Sequence, residues 1–429
     1  MIATKIKPDF RLVANMEAVM SYIDRAISSV LERRITQSKS ILVNGARQVG
    51  KSTVLRHDFP DYNKVTFDDR MMREQAREDP ALFFMNNPAP LIIDEVQKEA
   101  GILEDIKIRL DQSDERGRYI FTGSQNLDLM KGASESLAGR VSLIEMSGLS
   151  MREIKQIRFN RHFVPTDEYI TEREKELQPY DDIWEIIHKG SYPELYDVER
   201  DWSDFYSSYV STYLEKDINE LVTSDSVTFT RFLTAVAART GEILNYSNIA
   251  NDVGVSEPTI KNWISILTRT GIIYLLQPYS SSALSRAIKA PKVYFRDTGL
   301  ASYLARWTSA DALKVSAVAG NMFETFVVSE ILKSFSNEGL DYRLNVYYYR
   351  GKDHGGRGDK EIDLIIEENG VLYPVEIKKS GNPKAEMGGT NQVLDKVSGK
   401  KRGMGVILCM TEKKLFLRDN LVALPISYI

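Results

Sequence analysis

The sequence predicts a mixed α/β protein built on a parallel sheet, and three observations carry that prediction. Short apolar runs alternate with helical patterns through residues 38–150. One run, Ile41–Val43, leads into a glycine-rich loop ending in Lys51-Ser52, and another, Leu91–Ile93, ends in Asp94-Glu95. Runs that apolar are expected of strands covered on both faces.

Composition narrows the possible classes. In 429 residues, 43% hydrophobic and 27% charged side chains describe an ordinary globular chain of several domains. The single cysteine, Cys409, excludes an internal disulfide and a cysteine-built zinc site. The histidines, His57, His162, His188 and His354, are too scattered to pair at ligand spacing on one helix, so any metal should be a hard cation held by oxygen. Lys5, Lys7, Asp9 and Arg11 interrupt the N-terminus, which is therefore not a signal peptide, and no apolar run approaches the ~20 residues needed to cross a bilayer. A cytoplasmic protein with no membrane partner is expected. The net charge of −4 is unevenly spread: residues 166–225 hold 17 acidic and 5 basic groups, and residues 286–429 hold 17 acidic and 22 basic. The acidic stretch repels phosphate, leaving nucleic-acid contact to the C-terminal part.

In chain order, residues 1–37 are expected to carry a helix from about Met16 to Arg34, with Val19, Ile23, Ile27 and Leu31 on one face. Residues 38–150 hold five strands: Ser40–Asn44, Lys64–Phe67, Leu91–Glu95, Arg118–Thr122 and Val141–Met146. Residues 151–222 read as an acidic helical lid, 223–296 as a small helical module ending in a hairpin, and 297–429 as a helix followed by alternating strands.

Gly45-Ala46-Arg47-Gln48-Val49-Gly50-Lys51-Ser52 fits the phosphate-binding pattern G-x-x-x-x-G-K-[ST] between a strand and a helix. Backbone N–H groups of Gln48, Val49, Gly50 and Thr53, around a helix N-terminus, favour anionic oxygens. Lys51 should reach the β- and γ-phosphates of ATP, and Ser52 should bind Mg²⁺. Asp94 is the second metal-side candidate and Glu95 the general base for the attacking water. The extra strand between the two motifs, with Glu after Asp, points to the ATPase branch of phosphate-loop proteins. Ser124 or Asn126, after the buried run Tyr119–Thr122, could sense the γ-phosphate. Arg140, before the last strand, could reach phosphate in cis or, in a homo-oligomer, in trans.

The run from Gly45 through Arg140 to Val210-Ser211-Thr212-Tyr213-Leu214-Glu215-Lys216-Asp217 resembles a family of bacterial and archaeal AAA-type ATPases. In these, a C-terminal region of unknown function joins a winged helix to a nuclease-like fold. The resemblance covers about residues 38–380. That family often has Arg before the aspartate, where this chain has Lys216. The resemblance implies ATP binding, hydrolysis and a prokaryotic cytoplasmic setting, with no defined substrate.

Tyr246–Ile273 reads as a helix-turn-helix: a short helix, a turn at Val253-Gly254-Val255, and a second helix capped by Ser256 with Pro258 in its first turn. Ile260, Trp263, Ile264 and Leu267 should face the core, leaving Lys261 and Arg269 outside. Residues Ile272–Gln277 against Lys292–Phe295 would form the wing. Such a module serves DNA or protein partners, and two basic side chains do not decide between them.

In the last segment, Asn369-Gly370 suits a two-residue type I′ turn between Glu361–Glu367 and Val371–Lys378. Glu368 then pairs with Val371, which sets Asp363 opposite Glu376 and Glu361 opposite Lys378. Ile362, Leu364, Ile366, Tyr373, Val375 and Ile377 should share the core face. Opposed carboxylates repel unless a cation or proton lies between them. Glu324, inside the apolar stripe of a helix around Phe323–Phe335, adds a third. Helix Glu, strand Asp and Glu-x-Lys together resemble the PD-(D/E)xK nuclease superfamily. The resemblance implies Mg²⁺ held by Asp363 and Glu376, with Lys378 orienting water or stabilising charge. A degenerate fold, in which Lys378 only neutralises the carboxylates, is the alternative.

Overall fold

The five apolar runs become strands β1 (Ser40–Gly45), β2 (Asn63–Thr66), β3 (Leu91–Asp94), β4 (Tyr119–Ser124) and β5 (Val141–Glu145). The computed structural model describes residues 22–124, 137, 139–180, 182–197, 200–218, 225–280, 289–352 and 359–429. All neighbouring strands of this sheet run parallel, in the order β2-β3-β4-β1-β5. Ile41, Val43, Ile92 and Ile120 pack on one face, and Leu42, Leu91, Ile93 and Phe121 on the other. Both faces are covered, so the strands read as continuous apolar runs. β4 lies between β1 and β3, which brings the carboxyl ends of three motif-bearing strands side by side.

The N-terminal helix differs from expectation. Among the described residues it spans Ser28–Gln37, and Val19 lies outside them. Ile27 and Leu31 are buried as the spacing requires, but Ile23 precedes the helix in irregular chain. The cause is Arg25, whose guanidinium donates to Val49 O and Ser147 O, each at 2.8 Å, and to Glu153 at 2.9 Å. That anchorage holds the chain before the helix against the phosphate loop.

Short helices and a π-helical turn, Val210–Ile218, fill the acidic segment. Helices Ser226–Ala237, Tyr246–Val253 and Glu257–Arg269 then pack against a three-stranded antiparallel sheet of β6 (Glu242–Ile243), β7 (Ile273–Leu276) and β8 (Lys292–Phe295). Gly254 turns the chain at φ +83°, and Ser256 Oγ accepts from Thr259 N at 3.3 Å. Ile260, Trp263, Ile264 and Leu267 are buried as expected.

The last unit is built around helix Ala319–Asn337, which is buried on almost every side. Beside it lie β9 (Val346–Lys352), β10 (Asp359–Glu368), β11 (Val371–Lys378), β12 (Lys401–Arg402), β13 (Gly405–Cys409), β14 (Leu415–Arg418) and β15 (Leu421–Pro425). Their main path is β14-β15-β13-β11-β10-β9. Asn369 and Gly370 adopt φ +50° and +78°, as a type I′ turn requires, and Glu368 pairs with Val371 and Leu364 with Val375. One part of the expected register is corrected. Between Ile362 and Ile365 the pairing with β9 shifts by one residue, a bulge. Ile362 therefore joins Ile365 and Leu372 on one face, while Leu364, Ile366, Val375 and Ile377 pack on the other.

Candidate functional site

The phosphate loop opens a cleft of about 940 Å³ whose lining includes Gln48, Lys51, Ser52, Thr53 and Glu95. Its shape depends on the glycines. A side chain on Gly45 would put Cβ 2.2 Å from Met146 O, and Gly50 sits at φ +94°. Gln48 also adopts a left-handed conformation, φ +61°. Val49 is buried and its carbonyl is held by Arg25. Lys51 is buried, and its Nζ donates to Gly45 O at 3.1 Å and Ala46 O at 2.9 Å. Burial lowers its pKa to about 8, against the pull of Glu95 and Asp94.

Ser52 Oγ lies 2.8 Å from both carboxylate oxygens of Asp94 and donates to that carboxylate. Thr122 Oγ1, from β4, donates to the same carboxylate and accepts from Glu95 N at 3.1 Å. Glu95 takes φ +57°, which turns its side chain to the cleft, where Gln97 Nε2 donates to it. The structure therefore brings together Lys51, Ser52, Asp94 and Glu95 as the motifs required. Of the expected phosphate sensors, Asn126 and the side chain of Ser124 lie outside the described residues.

Arg140 is not at this site. Its carbonyl accepts from Ser40 N and Ser40 Oγ at the start of β1, and its guanidinium pairs with Asp111, Nε–Oδ1 2.5 Å. The loop leaves the other end of β1, about 16 Å away at ~3.3 Å per residue. Arg140 and the loop therefore lie at opposite ends of β1. Tyr213, from the family-like run, stacks beneath Arg47 of the loop, with 4.9 Å from Cζ to the ring centroid. The side chain of Lys216 lies outside the described residues.

A second cluster forms where β10, β11, β8 and helix Ala319–Asn337 meet. Lys378 Nζ donates to Asp363 at 2.7 Å and Glu376 at 2.9 Å, and Ile377 N donates to Asp363 at 2.8 Å. Glu324 accepts from Tyr294 OH at 2.6 Å and from Lys292 Nζ at 3.1 Å, and Lys292 also pairs with Glu361 at 2.6 Å. Burial, then the Asp363 charge, pushes Glu376 up to about 8 and raises Glu324. The expected metal set of Glu324, Asp363 and Glu376 is thus divided between two lysines. Among the described residues no group of three or more such side chains is placed to hold a metal. Arg25, Thr122, Lys292 and Tyr294 were not foreseen as parts of these clusters, and Glu361, expected opposite Lys378, pairs with Lys292. Lys292, the one charge in the otherwise apolar strand β8, was the visible signal.

The five-stranded parallel sheet, the glycine-rich loop and the Asp-Glu strand end have the arrangement of a phosphate-loop nucleotide-binding domain. A family model described as an AAA domain matches residues 37–155. Two families described as domains of unknown function, DUF8612 and DUF4143, match residues 180–311 and 319–429. The chain is similar to uncharacterized proteins of Mycobacterium bovis and Mycobacterium tuberculosis, each 26% identical over 409 residues, covering 94% of this chain and 84% of theirs. Among solved structures it is similar to a Walker-type ATPase of Pyrococcus abyssi, at 15% identity over 66% of this chain and 96% of that one, TM-score 0.42. Another is a signal-transduction ATPase with a tetratricopeptide repeat sensor from Pyrococcus horikoshii, at 11% identity over 74% and 47%, TM-score 0.26. Among the described residues no helix is long and apolar enough to cross a membrane.

Proposed function

We propose that the chain is an Mg²⁺-dependent, ATP-driven switch of the prokaryotic cytoplasm, in which hydrolysis at Gly45–Ser52 controls what the C-terminal half binds. The observation that carries this reading is the junction of Ser52, Asp94 and Thr122 beside the cleft-facing carboxylate of Glu95. Ser52 and Asp94 are hard oxygen donors suited to Mg²⁺, which when bound neutralises charge on the β- and γ-phosphates. Lys51 gives its ammonium to the phosphates, and their charge offsets the burial that weakens it. Glu95 takes the proton of the attacking water. Arg140 serves a neighbouring subunit in a homo-oligomer.

Residues 223–296 are read as a winged helix and 297–429 as a nuclease-like fold that recruit protein partners. Two observations support recruitment over cleavage. Lys261 on the second helix is tied to Glu257 at 2.6 Å, and Lys292 and Lys378 are already paired with the carboxylates. Pairing of this kind favours the degenerate fold over a metal centre. Action on DNA is the second reading, favoured by the meeting of Asp363, Glu376 and Lys378 on facing strands. Duplex binding across a salt series separates the two. On the switch reading, the Lys261→Ala/Arg269→Ala chain keeps the wild-type salt slope; on the DNA reading the slope falls by about one per lost phosphate contact.

A further inference from the structure

One short strand runs from the carboxylate cluster to the segment packed against the phosphate loop. Lys292, at the start of β8, pairs with Glu324 and Glu361, and Tyr294, two residues on, donates to Glu324. Arg296, immediately after β8, pairs with Glu145 at the carboxyl end of β5 and donates to Tyr342 OH at 2.7 Å. Tyr342 OH donates in turn to Glu145 at 3.0 Å. Asp297 then accepts from Ser191 N at 2.6 Å and from Tyr206 OH at 2.7 Å.

Glu145 is one residue from the phosphate loop's packing partner. Asn44 pairs with Glu145 across β1 and β5, and the next residues, Gly45 and Met146, are so close that no side chain fits between them. Arg25 fastens Val49 O of the loop to Ser147 O of the same segment. Lys51 is tied to Gly45 O and Ala46 O, the carbonyls it must trade for phosphate oxygens. A phosphate at the loop therefore changes the hydrogen bonding of Gly45, whose backbone bears on Met146, next to the residue Arg296 grips.

We propose that β8 couples the phosphate loop to the carboxylate cluster, with Arg296–Glu145 as its ATPase end and Lys292–Glu324 as its far end. The proposal rests on nucleotide binding at Gly45–Ser52 and adds the route by which that site is read. Coupling of this kind is reciprocal, so a change at Lys292 must be felt in nucleotide affinity.

The test uses the full chain and a non-hydrolysable ATP analogue. Hydrogen exchange in wild type should change across residues 361–378 when the analogue binds, and this needs no variant that could misfold. Lys292→Met should shift the analogue's Kd by about fivefold or more. The shift should vanish in an Arg296→Met background, and Arg296→Lys should retain part of it. Unchanged exchange at 361–378 with the analogue bound, together with a wild-type Kd in Lys292→Met, overturns the coupling alone. A wild-type chain that binds no analogue overturns the nucleotide reading and the coupling with it.

Discussion

Ser52 Oγ lies 2.8 Å from each carboxylate oxygen of Asp94, so the last residue of the phosphate loop and the end of β3 share one hydrogen-bond centre. Ser52 lies in the first turn of the helix after β1, and β4 intervenes between β1 and β3. The contact therefore exists only because β4 spaces the two strands correctly. Thr122, on that spacer strand, donates to the same carboxylate.

Thr122→Val keeps the shape of the side chain and removes its donor. It leaves Asp94 short of a partner and frees the amide of Glu95, so hydrolysis should fall by about 10- to 100-fold, the range for lost supporting hydrogen bonds at metal sites. ATP affinity without metal should stay near wild type. A steady-state assay with a metal-free binding titration checks both.

Arg140 lies beside the start of β1, at the end opposite the loop, and pairs with Asp111. Its role, if a neighbour's phosphate is its target, needs two subunits. Specific activity should rise with protein concentration, and Lys51→Ala subunits should rescue Arg140→Ala subunits in mixtures. Activity that scales linearly, with no rescue, places Arg140 in cis or leaves it a surface ion pair.

Glu153 predicts an acid-side loss of stability. Burial alone would raise its pKa, but Arg25 and the amides of Ser150 and Ala26 outweigh it and hold the carboxyl below its ordinary 4.5. A depressed folded value means the stabilisation is complete above pH 4.5 and is lost as pH falls from there through that value. Melting temperature should drop over that window in wild type and less steeply in Glu153→Gln. Arg25→Ala, which strands a buried carboxylate, should cost about 3–5 kcal/mol at neutral pH.

The phosphate loop was legible because its parts are consecutive: Gly45, Gly50, Lys51 and Ser52 declare the turn, the helix start and the ligands within eight residues. The Asn369-Gly370 turn was legible for the same local reason, and it carried Asp363 to Glu376's neighbourhood. Ile362 was misassigned because the bulge arises from pairing with β9, which no local pattern reports. Arg25 and Lys292 act through partners 128 and 32 residues away, at Glu153 and Glu324. Nothing in a residue's own neighbourhood announces such a partner. Glu324, Asp363 and Glu376 were legible as a group of carboxylates, but Lys292, which pairs with Glu324 from strand β8, was not.

The most direct test of the central claim compares ATP binding with phosphate release in wild type, Lys51→Ala and Glu95→Gln. Lys51→Ala should lose binding, because the buried ammonium is the counter-charge for the phosphates. Glu95→Gln should bind ATP as wild type does and release phosphate about 10²- to 10⁴-fold more slowly, the usual worth of a positioned base. Wild-type phosphate release by either variant would contradict the account.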